Sequence, residues 1–162
     1  MAEPVEAIAK GQYRTSLDTL DWTVGEGGRF AAFPLGEGPH DPIVVIVEYA
    51  PNTTIDAHAH DSDYFSTVLC GHMEVTRRPE RLGSMRHVRA HTTYGPLHIG
   101  AEGCTVLEVF GDRVTFIEPR FARAGHAAPP SSVSTMPALF AQAIATAVAH
   151  LGSGVAPVGT SE

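Results

Sequence analysis

The chain has 162 residues and a formal net charge of −7 at neutral pH, with 43% hydrophobic and 18% charged residues. This balance is typical of a soluble globular protein, and the length suits one domain with a sizeable core. Because an acidic chain repels phosphate backbones, we expect no nucleic acid partner. Residues 1–12 lack a signal-peptide run, and no segment reaches the roughly 18 apolar residues of a membrane span, which predicts a cytoplasmic location.

The N-terminal part, residues 1–42, carries little regular pattern, and we expect it to be an irregular lead-in that wraps the barrel. From residue 43 onward, short β-branched or alternating runs recur between turn signals, which is typical of a β-sandwich or β-barrel. We therefore predict an all-β fold with one barrel over residues 43–120. The predicted strands cover residues 43–50, 58–60, 64–70, 72–77, 86–91, 94–98, 104–110 and 113–117. The predicted turns lie at residues 51–52, 71, 79–83, 100–103 and 111–112.

The sequence changes character after the predicted barrel. Residues 121–134 are small and include proline, which indicates a linker. An apolar pattern at helical spacing predicts one α-helix over residues 135–152, and residues 153–162 are expected to be a flexible tail. The helix is expected to lie on its own barrel, to dock on the partner subunit of a homodimer, or to close the barrel mouth. The residues that carry its pattern are Leu139, Phe140, Ile144, Ala147, Val148 and Leu151.

Two histidines, His58 and His60, are the first candidate site residues. At positions i and i+2 of an extended strand, their side chains point to the same face. Their nitrogens could then converge on one metal ion, at about 2.0–2.2 Å from each. The alternative is that both are ordinary polar residues near a turn. The spacing of the surrounding residues bears on this choice.

The histidine pair lies in a longer pattern. Asn52 precedes His58 by six residues, Tyr64 follows His60 by four, and Gly71 closes the pattern. This order resembles the first motif of the cupin family, G(X)5HXH(X)3,4E(X)6G. In that resemblance Asn52 stands at the first glycine and Tyr64 at the glutamate.

A second pattern with matching spacing follows. Counting from Gly83, Arg89 and His91 come first, and Tyr94 and His98 come after them. The order resembles the second cupin motif, G(X)5PXG(X)2H(X)3N, with Tyr94 at the histidine and His98 at the asparagine. The two motifs together imply a cupin-type β-barrel, or jelly roll, with its site inside the barrel. The fold alone does not fix the reaction.

The resemblance implies a metal held by three histidines and one glutamate. This chain keeps His58 and His60, whereas Tyr64 and Tyr94 stand at the other two positions. A phenol with its ordinary pKa of about 10 ligates well only when a metal or a base removes its proton. The expected cofactor is therefore a divalent metal ion, iron or zinc before manganese or nickel.

Three arrangements of the site follow from these departures. In the first, His58 and His60 bind a metal with one further ligand. In the second, His91 or His98 takes over the role of the lost histidine. In the third, no metal is bound, and the two histidines and two tyrosines form an acid–base pocket. The candidates for the further ligand in the first arrangement are Tyr64, Tyr94, His98 and Asp63.

We assign the metal site to His58, His60 and His98. We assign catalytic roles to Tyr64 and Tyr94, as general acids or as hydrogen-bond donors to a developing oxyanion. The alternative for each tyrosine is a core residue whose hydroxyl finds one partner.

Other charged residues could also contribute to the site. Glu108 would be a spare carboxylate if its strand turned it inward, although outward exposure is the commoner arrangement. A cluster of arginines could form a clamp for an anionic substrate or simply a solvated hairpin. These arginines are Arg77, Arg78, Arg81, Arg86 and Arg89.

Three functions remain open from the sequence. The first is a metal-dependent cupin enzyme, a dioxygenase, lyase or isomerase that acts on a small oxygenated or aromatic molecule. The second is a metal-free cyclase or isomerase that uses histidine and tyrosine for proton transfer. The third is a non-catalytic module that senses a small ligand.

Overall fold

The computed structural model describes residues 6–25, 27–36, 38, 40–113 and 120–121. Every regular element in these ranges is a β-strand, which confirms the predicted all-β fold. The described residues contain no helix long and apolar enough to cross a membrane. In chain order the strands are β1 (Glu6–Ala9), β2 (Gln12–Arg14), β3 (Thr23–Gly25), β4 (Gly28–Pro34), β5 (Ile43–Tyr49), β6 (Thr54–Ile55), β7 (His58–Ala59), β8 (Tyr64–Val75), β9 (Arg78–Arg81), β10 (Met85–Val88), β11 (Leu97–Phe110) and β12 (Arg120–Phe121).

Eight strands form the main antiparallel sheet, in the order β10-β8-β11-β5-β4-β3, with β9 added to β8 and β6 added to β11. Strands β1 and β2 form a separate hairpin, and β12 pairs with β7. The predicted C-terminal helix at 135–152 and the tail at 153–162 lie outside the described residues. The same holds for the linker after residue 121 and for most of the last predicted strand.

The main sheet already begins in the N-terminal lead-in. Strand β4 pairs with β5 along its whole length, from Gly28 opposite Tyr49 to Pro34 opposite Ile43, and β3 pairs with β4. The side chain of Phe30 is buried in the core. The sheet therefore begins upstream of residue 43, which was the predicted start of the barrel. The prediction missed this strand because glycines around β4 obscure the alternation of its side chains.

The hairpin predicted about Gly71 is wrong. Strand β8 runs straight through this residue, and the chain turns at Thr76 and Arg77, whose φ angles are 50° and 62°. Gly71 has a φ of 71°, and a β-carbon there would lie 2.1 Å from the carbonyl oxygen of Gly103. The glycine thus allows a close approach between strands, and the predicted turn at 100–103 is likewise an irregularity within β11.

Side chains on the inner face of the sheet divide the interior into two ends. At one end, which we call the apolar end, the buried side chains are hydrophobic: Val68, Met73, Val75, Leu97, Ile99 and Val106. At the other, which we call the polar end, the inner positions and the strand β7 bring polar side chains among buried hydrophobic ones such as Ile43, Val45 and Phe110. The polar side chains are His58, His60, Tyr64, Ser66, Arg86, Tyr94 and Glu108. Full burial of each hydrophobic side chain contributes about 1.5–3 kcal/mol to folding. These side chains therefore stabilise the strands that also bear the polar side chains.

Candidate functional site at the polar end of the barrel

His58 is buried on β7, with 7% of its surface exposed. Its Nδ1 atom lies 2.8 Å from the carbonyl oxygen of Asp56. Because a carbonyl oxygen only accepts, Nδ1 carries the proton and donates it, which leaves Nε2 of the neutral ring as an acceptor. Burial lowers the pKa of His58, and the nearby charge of Arg86 lowers it further, so the ring is neutral at physiological pH.

Tyr94 meets His58 twice. The Tyr94 hydroxyl lies 2.7 Å from His58 Nε2, and it donates because Nε2 is unprotonated. The two backbones also exchange hydrogen bonds, from His58 N to Tyr94 O and from Tyr94 N to His58 O, both 3.0 Å long. The backbone bridge therefore places the two residues directly opposite each other, and the side-chain hydrogen bond joins the phenol to the imidazole.

His60 joins the same cluster. Its ring centroid lies 5.2 Å from that of His58 and 5.4 Å from that of Tyr64. The Tyr94 ring stacks on it at 6.3 Å, and Phe110 meets it at 5.0 Å. The structure thus brings together four of the sequence-predicted site residues, the two histidines and the two tyrosines.

Both tyrosines keep their protons. Tyr64 is 2% exposed and stacks on Phe110, with ring centroids 4.8 Å apart. Burial raises the pKa of Tyr64 above its ordinary value, and burial likewise raises that of Tyr94. At neutral pH the two phenols are hydrogen-bond donors and weak acids.

Three side chains of the polar end lie in a row across the neighbouring strands β10, β8 and β11. Arg86 on β10 pairs with Ser66 on β8, and Ser66 pairs with Glu108 on β11. Directly opposed residues of antiparallel strands place their side chains on one face, so all three face inward. Burial raises the pKa of Glu108 to about 7, against the opposing effects of Arg86 and of a hydrogen bond with Ser66.

The Arg86 guanidinium lies within the aromatic wall of the site. Its central carbon is 4.7 Å from the ring centroid of Tyr94 and 5.9 Å from that of Tyr64. One terminal nitrogen donates to the Tyr64 hydroxyl over 3.3 Å. The other, Nη1, is buried and has no hydrogen-bond partner among the described residues.

His98, the third predicted metal ligand, is not part of this cluster. It is exposed on β11 between the buried residues Leu97 and Ile99, and its Nδ1 lies 3.3 Å from the Thr54 hydroxyl. Alternation along the strand turns it to the outer face, which corrects the assignment. His91 is also exposed, and its Nδ1 lies 3.1 Å from Asp61.

Asp63 is exposed as well. Its carboxylate accepts a hydrogen bond from the backbone nitrogen of Ala90 over 2.7 Å and lies 3.5 Å from His87. These contacts tie two surface loops together, and they hold the carboxylate away from the buried rings.

The donor set does not fit a divalent metal of the kind that the motifs imply. Within the described ranges, no group of three or more histidine, cysteine, aspartate or glutamate side chains is placed to hold a metal ion. The polar end offers two imidazoles, and one of them already accepts a hydrogen bond from Tyr94. The other two positions are phenols, and the Arg86 cation beside them repels a dication.

Arg86 and Glu108 are site residues that the sequence offered only as alternatives, Arg86 as one of five arginines of a possible clamp and Glu108 as a carboxylate more often exposed. Arg86 is two residues before the buried Val88, and Glu108 alternates with the buried Val106 and Phe110. In a strand, residues two apart share a face. This alternation was the signal from which the inward orientation of both residues could have been predicted. It is easily missed because charged side chains are expected to point to solvent.

No protein-family model matches this chain, and no curated protein matches it significantly. Solved structures do resemble it. A mutant of Bacillus subtilis oxalate decarboxylase matches with a TM-score of 0.56 and 16% identity over 71% of this chain. The formate complex of Lactobacillus farciminis oxalate decarboxylase matches with a TM-score of 0.54 and 18% identity over 65% of this chain.

These matches cover only 33% and 35% of the two oxalate decarboxylase chains, about a third of their length. The neighbours are cupin-fold proteins, so the predicted cupin-type barrel is confirmed. One of these neighbours, the Bacillus subtilis oxalate decarboxylase, has Mn(II) centres.

Proposed function

We propose that this chain, whose fold is the cupin fold, is a small-molecule enzyme that moves protons with the side chains of its polar end. The reaction class that fits is an isomerisation, cyclisation or elimination in which a proton leaves one atom of the substrate and returns to another. The observation that carries the proposal is the 2.7 Å hydrogen bond between the Tyr94 hydroxyl and His58 Nε2.

The proton route has three steps. The substrate gives its proton to the Tyr94 oxygen as the phenolic proton passes to His58 Nε2. The imidazolium that results keeps its Nδ1–H on the carbonyl oxygen of Asp56, which stabilises the charged ring. Reversal of the relay delivers the proton to a different substrate atom, so no net proton is gained or lost.

Tyr64 has a supporting role in this scheme. Its buried, protonated hydroxyl donates to the oxygen on which negative charge develops as the substrate loses its proton. Because water is largely excluded from this end of the barrel, such a hydrogen bond is stronger than it would be in solvent.

Two measurements test the proposal together. Elemental analysis of protein purified without chelators is expected to find less than about a tenth of a metal ion per chain. Nitrogen NMR of the histidine rings is expected to find His58 neutral and protonated on Nδ1 at pH 7, with its Nε2 signal shifted in the Tyr94→Phe variant. A stoichiometric metal, or a His58 ring protonated on Nε2, would contradict the proposal.

A second candidate is a metal-dependent cupin enzyme, a dioxygenase, lyase or isomerase. It is favoured by the histidine rings of His58 and His60, whose centroids are 5.2 Å apart, and by the Mn(II) centres of Bacillus subtilis oxalate decarboxylase. It requires His58 Nε2 to exchange its hydrogen bond with Tyr94 for a metal. The elemental analysis separates the two candidates, since this one requires about one iron, zinc, manganese or nickel ion per chain.

A further inference from the structure

Arg86 is a cation with no ionic partner among the described residues. Among the ion pairs of the described residues none includes Arg86, and its single hydrogen bond goes to the neutral hydroxyl of Tyr64. Its Nη1 atom is buried and unpartnered within the same ranges. Arg86 as a residue is half-buried, but a guanidinium nitrogen removed from water is normally hydrogen-bonded, because leaving it without a partner costs free energy.

Glu108 does not neutralise this charge. It lies two strands away on the same inward row, about 10 Å from Arg86 at the backbone, with Ser66 between them. Glu108 also has a pKa raised to about 7, so a large fraction of it is uncharged at neutral pH. Ser66, the smallest side chain of the row, lies between the two charged residues.

We propose that Arg86 binds a carboxylate group of the substrate, with Nη1, which has no partner among the described residues, as the donor. This assignment rests on the proposed function and specifies its substrate class as a small carboxylic acid. The Tyr94 ring holds the guanidinium over its face, and the Tyr64 hydroxyl holds one of its nitrogens. A carboxylate on the free edge of the fork would be recognised by a charge-assisted hydrogen bond.

The sequence offered five arginines as a possible clamp for an anionic substrate. The structure places one of the five, Arg86, at the polar end. The other four arginines of that cluster are exposed on the strands and turns around it: Arg77, Arg78, Arg81 and Arg89. Of the five, Arg86 shares the inward row of Ser66 and contacts the aromatic rings of the site. An exposed arginine of the same cluster, Arg81, provides a matched control.

Titration of the full chain with formate, acetate, glyoxylate and benzoate tests the assignment, with chloride at equal ionic strength as the blank. At least one carboxylate is expected to bind saturably to the unaltered protein and to shift the Arg86 side-chain nitrogen signals in its NMR spectrum. Arg86→Gln is expected to weaken that binding at least tenfold. Arg86→Lys, which keeps the charge but loses the fork, should restore part of it, and Arg81→Gln should leave it unchanged.

Three results would overturn the assignment. One is the absence of saturable binding by all four carboxylates below about 100 mM. Another is equal affinity in Arg86→Gln and the unaltered protein, and the third is carboxylate binding that leaves the Arg86 signals unmoved. The last readout uses the unaltered protein, so it stands even if an Arg86 variant fails to fold.

One further variant separates this assignment from the proton relay. His58→Ala removes the relay but not the guanidinium, so it is expected to bind the carboxylate within about threefold of the unaltered protein. Loss of binding in Arg86→Gln alongside a His58 ring protonated on Nε2 would support the carboxylate site and contradict the relay. The opposite pair of results would contradict the carboxylate site alone.

Discussion

The two ends of the barrel are built from the same strands, but polar side chains enter the interior at only one of them. Strand β8 contributes Tyr64 and Ser66 at the polar end and Met73 and Val75 at the apolar end. Strand β11 likewise passes from Glu108 to hydrophobic side chains. Since backbone pairing continues through both halves, the difference lies in the side chains. The comparison indicates that both ends bury hydrophobic side chains, whereas the polar end also holds groups that would be better solvated in the unfolded chain.

The largest expected effect comes from the apolar end. Leu97→Ala removes most of a side chain that is 2% exposed, and such truncations in a core cost about 2–5 kcal/mol. Urea unfolding should show the corresponding fall in the midpoint, while carboxylate binding to the folded variant stays within about twofold. A loss below about 0.5 kcal/mol would mean that stability does not depend on this end.

The polar end should be destabilised as pH rises. Glu108 has a folded pKa of about 7 against an ordinary value of 4.5, so between these values the folded chain holds a proton that the unfolded chain has released. Stability therefore falls from about pH 4.5 to about pH 7, by up to about 3 kcal/mol at about 1.4 kcal/mol per pKa unit, and is level above.

Glu108→Gln is the variant that tests this behaviour. It should remove the decline, so that it is more stable than the parent at pH 8 by up to about 3 kcal/mol and similar at pH 4. Urea midpoints measured from pH 4 to pH 8 check the sign. The same dependence of stability on pH in the parent and in Glu108→Gln would contradict a raised pKa for Glu108.

A smaller effect is expected from Tyr64→Phe. The change keeps the ring against Phe110 but removes the hydroxyl that accepts from Arg86, which leaves a buried donor without a partner at a cost of about 1–3 kcal/mol. Thermal unfolding measures the loss. Adding a carboxylate that binds Arg86 should recover part of it, and equal stabilisation of the Arg86→Gln variant by that carboxylate would contradict this explanation.

The smallest effect belongs to the surface. Arg81→Gln changes an exposed side chain outside both ends, and its effect on the free energy of unfolding should stay within about 0.5 kcal/mol. The same urea titration measures it. A larger change would mean that the exposed arginines, rather than the two interior ends, contribute substantially to stability.

Much of the fold follows from the sequence. The β-branched run at 43–50 predicts β5 closely, and the spacing of His58 and His60 predicts that their rings lie side by side. The errors lie where glycine has another use. The sequence predicts a turn at Gly71, but in the structure this glycine makes room for the carbonyl of Gly103 on the neighbouring strand.

The site was harder to predict for a related reason. Motif spacing places His98 with the histidines, but alternation with the buried Leu97 and Ile99 turns it outward. Glu108, an even number of residues further along β11, is nevertheless buried. The orientation of a strand residue depends on register with its neighbours, and the irregular pairing between Ile99 and Cys104 shifts that register. Long-range pairing of this kind is not readable from local pattern.

The double link between His58 and Tyr94 has a consequence for how such a site could diversify. Because main-chain hydrogen bonds pair these two residues, their backbones stay opposite each other without any contribution from a bound molecule. Substitutions at the row of Arg86, Ser66 and Glu108 can then retune ligand preference while the proton-carrying pair keeps its geometry. Under the proposed function, ligand selectivity and acid–base chemistry would then depend on different residues of one small barrel.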